Sequence, residues 1–304
     1  MSKVNTSGLR RLAAAALLSG VGLAVATSSV GAAVVPKAAP IPTPKKNPKA
    51  AALVPAAIRK AGTVTFAADA TYAPDEFVAA NGHTIIGMDV DLGKALAAVM
   101  GLKPRFVNAT FDTIIPGLVD GRFNVGLSSF TVTAAREKQV NFVSYYQAGE
   151  GFYVKTHGGP ALSGLTSLCG KTVAVETGTT EQTDAQHQVT ACKKAGKKPD
   201  SVLSYNTQDE ANSAVASGRA QLGFADSQVA AYIVLKSHGL FKLSGHPFAV
   251  APYGIAFPKS SRLDQATLVA LKDLMAQGIY AKILAKWGIA NGAIHNPAIN
   301  PKAG

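Results

Sequence analysis

The sequence predicts an α/β protein built from two similar lobes. Short apolar runs typical of buried strands alternate along the chain with segments whose apolar residues recur at helical spacing. The chain also repeats itself, because Asp112 and Gly121 recur 97 residues later as Asp209 and Gly218. In each copy a helical pattern is followed by a glycine and then by an apolar strand, so we expect one α/β unit in each lobe.

Each repeat copy also places a polar residue where its strand ends. Ser129 follows the apolar run 123–127, and Asp226 stands at the equivalent place 97 residues later. Ligands of open α/β sheets bind beyond the carboxyl ends of the strands. We therefore expect the two lobes to face each other across one cleft.

The loop from Ser128 to Arg136 supplies the chemistry of one cleft wall. Hydroxyl groups such as that of Thr131, together with the Arg136 guanidinium, can hold a carboxylate, because the guanidinium forms a rigid fork. The alternative is a surface arginine in a Ser/Thr-rich loop. With Asp226 on the opposite wall, the cleft suits a zwitterion whose carboxylate meets Arg136 and whose ammonium meets Asp226.

Several segments resemble the bacterial extracellular solute-binding proteins of the polar amino-acid type. The match runs from about Gly62 to Ile289, and its order and spacing are more specific than any one motif. The matching segments are 69–74 (DATYAP), 87–92 (GMDVDL), the Ser128–Arg136 loop, 178–180 (GTT), Asp226, 278–282 (GIYAK) and 286–288 (KWG). The resemblance implies two Rossmann-like lobes joined by a two-strand hinge, the periplasmic-binding-protein type II architecture. It also implies a receptor that delivers a polar or basic amino acid to the membrane permease of an ABC importer by hinge closure.

The predicted organisation has five parts. The chain crosses between lobes at 149–151, where Gly149-Glu150-Gly151 is expected to break the strand, and again at 247–252. The expected parts are a signal peptide (1–32), a Pro/Ala/Lys-rich linker (33–57), lobe 1 (58–150 and 252–291), lobe 2 (151–251) and a C-terminal tail (292–304). Prolines are dense in the linker, so we expect a semi-extended, disordered spacer there.

The first 32 residues have the features of an export signal. A basic start precedes an apolar run, 12–26, that is short for a membrane span, and Ala32 ends a plausible cleavage site. An uncleaved anchor is the alternative. No cysteine lies near this leader, so we expect no lipid anchor and a protein that is periplasmic, secreted or associated with the cell surface.

The resemblance assigns further ligand contacts. Asp69 and Tyr72 are expected to contact the ligand side chain, while the turn containing Thr179 and Thr180 is expected to face the carboxylate with its backbone N–H groups. An acid at position 69 favours arginine, lysine, histidine or glutamine over glutamate; a turn-capping role is its alternative. The family often has an aromatic residue directly after the proline of this segment, where this chain has Asp75.

Four other acidic residues are expected to lie outside the ligand site. Asp89 and Asp91 fall in the first turn of a helix, where negative charge is favourable, so capping is preferred to acid/base chemistry. Glu176 and Glu181 flank the Gly178 turn and are expected to be solvated. The cleft would then contain no acid beyond Asp69 and Asp226.

The two cysteines, Cys169 and Cys192, are expected to form a disulfide, since an exported chain with a small even number of cysteines commonly pairs them. No C-x-x-C pair is present.

Composition disfavours several other functions. The net charge of +12 includes three basic residues in the leader and four in the linker, and no basic block is interleaved with aromatics, which disfavours nucleic-acid binding. The six histidines lack metal-site spacing, so we expect no metal and no cofactor. We expect a monomer that is not an enzyme. A cyclohexadienyl-dehydratase-like enzyme and a ligand-sensing module on the same fold are the alternatives.

Overall fold

The computed structural model describes residues 41–303, which belong to one compact unit. The predicted signal peptide and the first part of the predicted linker lie outside the described residues. Within residues 41–303, none of the helices combines the length and the apolarity needed to cross a bilayer.

The strands and helices alternate as an α/β pattern requires. The strands are β1 (Thr63–Ala68), β2 (Thr71–Tyr72), β3 (Glu76–Val78), β4 (Ile85–Ile86), β5 (Lys103–Asn108), β6 (Val125–Gly126), β7 (Val140–Lys155), β8 (Thr172–Glu176), β9 (Ser201–Tyr205), β10 (Leu222–Asp226) and β11 (Phe241–Pro258). The helices are α1 (Pro48–Leu53), α2 (Ala56–Ala61), α3 (Met88–Met100), α4 (Phe111–Val119), α5 (Ala134–Glu137), α6 (Thr180–Lys194), α7 (Gln208–Ser217), α8 (Ser227–Lys236), α9 (Leu263–Ala276) and α10 (Ile279–Trp287).

Eight of the strands form one sheet in the order β5-β1-β6-β11-β7-β10-β8-β9. At one end, β1 is parallel to β5 and β6; at the other, β8 is parallel to β9 and β10. The long strands β7 and β11 are antiparallel to each other and join the two ends. This is the predicted arrangement of two α/β lobes joined by a pair of strands, and the fold class is confirmed. Below, the first lobe contains β1, β5 and β6, and the second contains β8, β9 and β10.

The joining strands do not break where the sequence suggested. β7 runs without interruption through Gly149-Glu150-Gly151, so the predicted break is wrong. The reason is that both of its neighbours pair with this segment: Glu150 and Gly151 are in register with β10, and Glu150 is also in register with Phe248 of β11. The irregularities lie in β11 instead, between Ser244 and Gly254.

The 97-residue repeat corresponds to equivalent elements. α4 and β6 form the first copy, and α7 and β10 form the second. The glycine after each helix, Gly121 or Gly218, has a φ of 72° or 80°, a left-handed conformation that glycine adopts without steric cost. Each lobe therefore brings a helix, a tight turn and a strand to the same place, with Ser129 and Asp226 just past or at the strand ends.

The end of the predicted linker is not disordered. Asn47 accepts hydrogen bonds from the backbone N–H groups of Lys49 and Ala50, at 2.9 and 3.3 Å, and so caps α1. Pro48 opens the helix at its first position, where the missing N–H costs nothing. Ala50 and Val54 are buried in the core of the first lobe against α3 and α9. The prediction of a disordered spacer is therefore wrong from about residue 47 onward.

The predicted C-terminal tail also packs on the fold. The backbone N–H of Ser144 donates to Ala298 O at 2.9 Å, and the N–H of Phe142 donates to the side chain of Asn300 at 2.9 Å. The segment thus lies along the start of β7.

The predicted disulfide between Cys169 and Cys192 is present. It joins the turn before β8 to the last part of α6, a separation of 23 residues. The disulfide therefore fixes the C-terminal end of α6 to the turn before β8.

Candidate ligand-binding cavity

A small cavity lies between the lobes at the carboxyl ends of the strands. All eight of the predicted ligand-binding residues line it. Its lining is Asp69, Tyr72, Phe111, Ser128, Ser129, Thr131, Arg136, Glu176, Thr179, Thr180, Glu181 and Asp226. Parallel strands deliver these side chains together because their carboxyl ends meet at one edge.

Arg136 is held in place at the cavity wall. Its guanidinium donates to the backbone carbonyl of Thr131 at 2.7 Å and, across the cleft, to that of Gly178 at 2.9 Å. Its charge also lies 5.2 Å from the ring centre of Phe111 and 5.7 Å from that of Phe130. Burial lowers the pKa of Arg136, but a guanidinium remains charged near neutral pH. The result is a pre-oriented cation with donors left for an anion.

Asp226 faces Tyr72 across the cleft. The Tyr72 hydroxyl donates to Asp226 Oδ2 at 2.9 Å and accepts from the Asp226 backbone N–H at 3.1 Å. Burial raises the pKa of Asp226 to about 6, while hydrogen bonds from Tyr253 and Tyr72 and the charge of Arg136 oppose that rise. A cationic ligand group would lower this pKa again and keep Asp226 ionised.

Asp69 has the turn-capping role considered from the sequence and also lies at the cavity. Its carboxylate accepts from the backbone N–H of Thr71 at 3.1 Å and from that of Phe111, at the start of α4, at 3.0 Å. These are turn- and helix-capping bonds, yet Asp69 also lines the cavity. Burial raises the pKa of Asp69.

The interpretation of Glu176 and Glu181 as solvated residues is wrong. Their exposed fractions are only 2% and 1%. Glu176 ends β8 and points into the cavity near Asp69; burial raises its pKa well above the usual range, and the charge of Asp69 adds to this. Glu181 lies in the first turn of α6, where burial and then the charge of Asp226 raise its pKa in the same direction.

The sequence analysis missed four cavity residues, namely Phe111, Ser128, Glu176 and Glu181. Ser128 carried a signal, since it precedes Ser129 in the same loop. Glu176 did too, because it ends a strand as Asp69 and Asp226 do. Nothing in the helical pattern indicated which face of α6 meets the cleft, so Glu181 had no such signal.

The hydroxyl groups of Thr179 and Thr180 contact different partners. The Thr179 hydroxyl donates to Glu176 O at 2.8 Å and accepts from Gln182 N at 3.1 Å, so it caps α6. The Thr180 hydroxyl lies 3.4 Å from the Thr131 hydroxyl on the other lobe. Thr180 and Thr131 therefore close the cavity from opposite sides.

Three buried acids support the loop behind Ser128 and Ser129. Ser128 Oγ donates to Glu76 at 2.7 Å, and Ser129 Oγ donates to Asp75 Oδ2 at 3.0 Å. Asp89 accepts from the Ser129 backbone N–H at 3.0 Å, which fixes that residue at a φ of 51°. Burial raises the pKa of Asp89 to about 7, while hydrogen bonds from Tyr145 and Ser129 oppose that rise. Asp89 thus lies in the first turn of α3, as predicted, and also supports the loop that contains Ser128 and Ser129.

Asp91 also lies in the first turn of α3, as predicted, and has a tertiary role in addition. Its carboxylate accepts from Lys286 Nζ at 2.6 Å and from the Trp287 indole at 2.9 Å. It therefore joins α3 to α10 on the surface of the first lobe.

The charge balance of the cavity favours a cationic ligand. Among the described residues, four carboxyl groups and one guanidinium line it. Raised pKa values show that ionising the carboxyl groups together is unfavourable without a cation. Within the part of the chain that the structure describes, no His, Cys, Asp and Glu side chains are grouped as a metal site requires.

Comparisons with known proteins agree with this geometry. The sequence profile of the bacterial extracellular solute-binding proteins, family 3, matches residues 64–290. The chain is 35% identical over 258 residues to the arginine-binding protein ArgT of Corynebacterium glutamicum, covering 84% of each chain.

Solved structures show the same fold. An ancestral arginine-binding protein bound to arginine superposes with a TM-score of 0.68 at 35% identity, covering 75% of this chain and 98% of that one. An ancestral amino acid-binding protein, a precursor of cyclohexadienyl dehydratase, superposes with a TM-score of 0.68 at 33% identity, covering 76% and 97%. The profile match spans most of the chain, and the relative shares its sequence over most of both lengths. The chain therefore belongs to family 3 of the bacterial extracellular solute-binding proteins.

Proposed function

We propose that this protein binds arginine, or a closely similar cationic amino acid, outside the cytoplasm and delivers it to the permease of an ABC importer. The observation that carries the proposal is the pair formed by Asp69 and Glu176. These two buried carboxyl groups come from opposite lobes and line one cavity with Arg136 and Asp226. A ligand with two cationic groups and one carboxylate matches four acids and one guanidinium better than a neutral side chain does.

Each group of the ligand has a partner in this proposal. Arg136 holds the α-carboxylate bidentately, with the hydroxyl of Thr131 and the α6 N–H groups at Thr179 and Thr180 beside it. Asp226 holds the α-ammonium, and the Glu181 carboxyl group lies close to it.

The side chain of the ligand extends toward Asp69 and Glu176. A planar guanidinium can donate to two carboxylates at once, and the rings of Tyr72 and Phe111 line the same cavity. Lysine offers a point charge in place of the planar fork, so we expect arginine to bind more tightly than lysine.

Cross-lobe contacts support capture by closure. Tyr72 bonds to Asp226, Arg136 bonds to Gly178 O, and Gln208 N donates to Thr71 Oγ1 at 3.2 Å. These bonds cross the cleft and require the lobes to be together. Opening at the two joining strands would break them and expose the cavity, so the arrangement suits hinge closure.

Names of relatives support the same ligand class. The Corynebacterium relative is called an arginine-binding protein, and a solved ancestral relative has arginine bound. We further propose that residues 1–32 are an export signal cleaved after Ala32, that no lipid anchors the chain, and that the receptor acts as a monomer. The proposed lobe boundaries remain near residues 150 and 252.

The enzyme alternative is disfavoured by charge. The expected lack of cleft acids beyond Asp69 and Asp226 does not argue against an enzyme, because Glu176 and Glu181 also line the cavity. Prephenate carries two carboxylates, and a cavity with four acids and one arginine disfavours a dianion. We therefore propose a receptor with no enzymatic activity, and expect no product from prephenate or arogenate.

Calorimetric titration against the twenty amino acids tests the proposal. The protein would first be unfolded and refolded to remove any ligand carried through purification. We expect the tightest binding for arginine, weaker binding for lysine, histidine or glutamine, and none for glutamate or aspartate. Tight glutamate binding would overturn the role of Asp69 and Glu176, and product formation from prephenate would overturn the receptor proposal.

A further inference from the structure

A second set of cross-lobe bonds lies behind the ligand cavity, at Asp75. Gln228 at the start of α8 donates from Nε2 to Asp75 Oδ2 at 2.8 Å and to the Tyr253 hydroxyl at 2.7 Å. Asp75 belongs to the first lobe and α8 belongs to the second. All three side chains are buried, with exposed fractions of 0% for Asp75, 8% for Gln228 and 0% for Tyr253. Among the described residues that line the ligand cavity, these three are absent.

This contact is connected to the ligand site on both sides. Asp75 Oδ2 also accepts from the Ser129 hydroxyl at 3.0 Å, and Ser129 is a cavity residue. On the other side, the Tyr253 hydroxyl lies close enough to Asp226 to lower the pKa of that carboxyl group. A buried chain of polar contacts therefore runs from the loop beside the proposed carboxylate site to the proposed ammonium site.

The chemistry of Asp75 fits a contact made only when the lobes meet. Burial and the charge of Asp89 raise its pKa well above the usual range, with Asp226 adding to the rise; Glu76 is a further acidic neighbour. A carboxyl group in these surroundings is favoured in its neutral form. An asparagine has the same shape, is neutral, and keeps an acceptor for Gln228 and Ser129.

We propose that Asp75 and Gln228 act as positioning residues, forming a clasp that holds the lobes closed and couples closure to Ser129 and Asp226. The clasp gives a role to the departure at position 75, where an aromatic residue would leave Gln228 without an acceptor on the first-lobe segment that contains residue 75. In an opened molecule the two residues separate with their lobes. The clasp therefore stabilises the ligand-bound form and leaves the free, open form unaffected.

A double-mutant cycle with Asp75→Ala, Gln228→Ala and the double variant tests the clasp. The ligand is whichever amino acid binds the wild type most tightly, which the proposed function expects to be arginine. Each single variant should weaken affinity about tenfold, the scale of one buried hydrogen bond to a polar partner. The double variant should be weakened no further, because either change alone already breaks the clasp. The loss should appear as faster dissociation with unchanged association.

Two control variants distinguish a loss of the contact between the lobes from a general loss of stability. Asp75→Asn should bind within threefold of the wild type, since it keeps the acceptor. Gln221→Ala should not change affinity, because Gln221 bonds only within the second lobe, to the backbone N–H of Thr172 at 3.0 Å. In denaturant unfolding of the ligand-free protein, the effects of the two alanine changes should simply add.

The clasp rests on the proposed function only for the choice of ligand, and the outcomes show separately whether the clasp or the arginine assignment is wrong. Additive losses of affinity, changes of less than twofold, or equal coupling in the unfolding of the free protein would each overturn the clasp. If an amino acid other than arginine binds the wild type and the cycle shows coupling, the clasp stands and the arginine assignment fails. If no amino acid binds the wild type, both are wrong.

Discussion

The change Glu176→Gln tests the most specific part of the proposed site. Glu176 is 2% exposed and faces Asp69 at the end of the cavity assigned to the ligand side chain. The substitution keeps the shape of the side chain and removes its ability to carry a negative charge.

The structure sets the size of the expected effect. A hydrogen bond to a charged group contributes about 1.5–3 kcal/mol, which corresponds to roughly a 10- to 150-fold loss of arginine affinity. We expect a loss of arginine affinity at the lower end of this range. Asp69 remains in the variant, and the raised pKa of Glu176 means that part of the binding energy is used to ionise it. The free amino acid glutamine has a neutral side chain, so the affinity of the Glu176→Gln variant for glutamine as a ligand should stay within about threefold of wild type or increase.

Calorimetry of wild type and variant with arginine and with glutamine measures both effects. Glu210→Gln is the matched control, because Glu210 lies on α7 of the same lobe, is exposed and does not line the cavity. The reasoning would be refuted by a loss of arginine affinity below twofold. It would also be refuted by equal losses for arginine and glutamine, which would indicate a distorted cavity in place of a lost charge.

Three further predictions follow from the same structure. Arginine should bind about tenfold more weakly at pH 5 than at pH 7.5, because burial raises the pKa of Asp226 to about 6 and the ligand ammonium pairs with its ionised form; titrations at both pH values that agree would contradict this. Replacing Cys169 and Cys192 by alanine should lower the free energy of unfolding by about 3 kcal/mol, the chain-entropy value for a loop of this length, with arginine affinity within twofold of wild type. A marked loss of affinity in that variant would show that the disulfide shapes the cleft. Asn47→Ala should lower the free energy of unfolding by about 1 kcal/mol, because the cap of α1 is lost. An unchanged denaturation midpoint would show that α1 does not contribute to the stability of the fold.

Local sequence patterns were sufficient to predict the helices and strands of the repeat and most of the cavity residues that the first lobe supplies. The helices α4 and α7 and the strands β6 and β10 lie where the repeated pattern of helix, glycine and strand predicts them. The loop from Ser128 to Arg136 and the repeat that pairs Ser129 with Asp226 were visible because strand ends and chain repeats are features of consecutive residues. The joining strand β7 was misread, because a Gly-Glu-Gly segment predicts a break unless neighbouring strands pair with it.

The sequence by itself determined the α/β class, the two lobes, the family and the residues that meet at the strand ends. Only the tertiary structure decided which acids are buried. Glu181 and Asp75 have the sequence surroundings of ordinary surface residues, yet both are buried where elements distant along the chain meet. The physical reason is that burial and charge coupling depend on which faces pack together. That packing places the helix-start Glu181 in the lining of the cavity and Asp75, which follows a proline, in a contact between lobes.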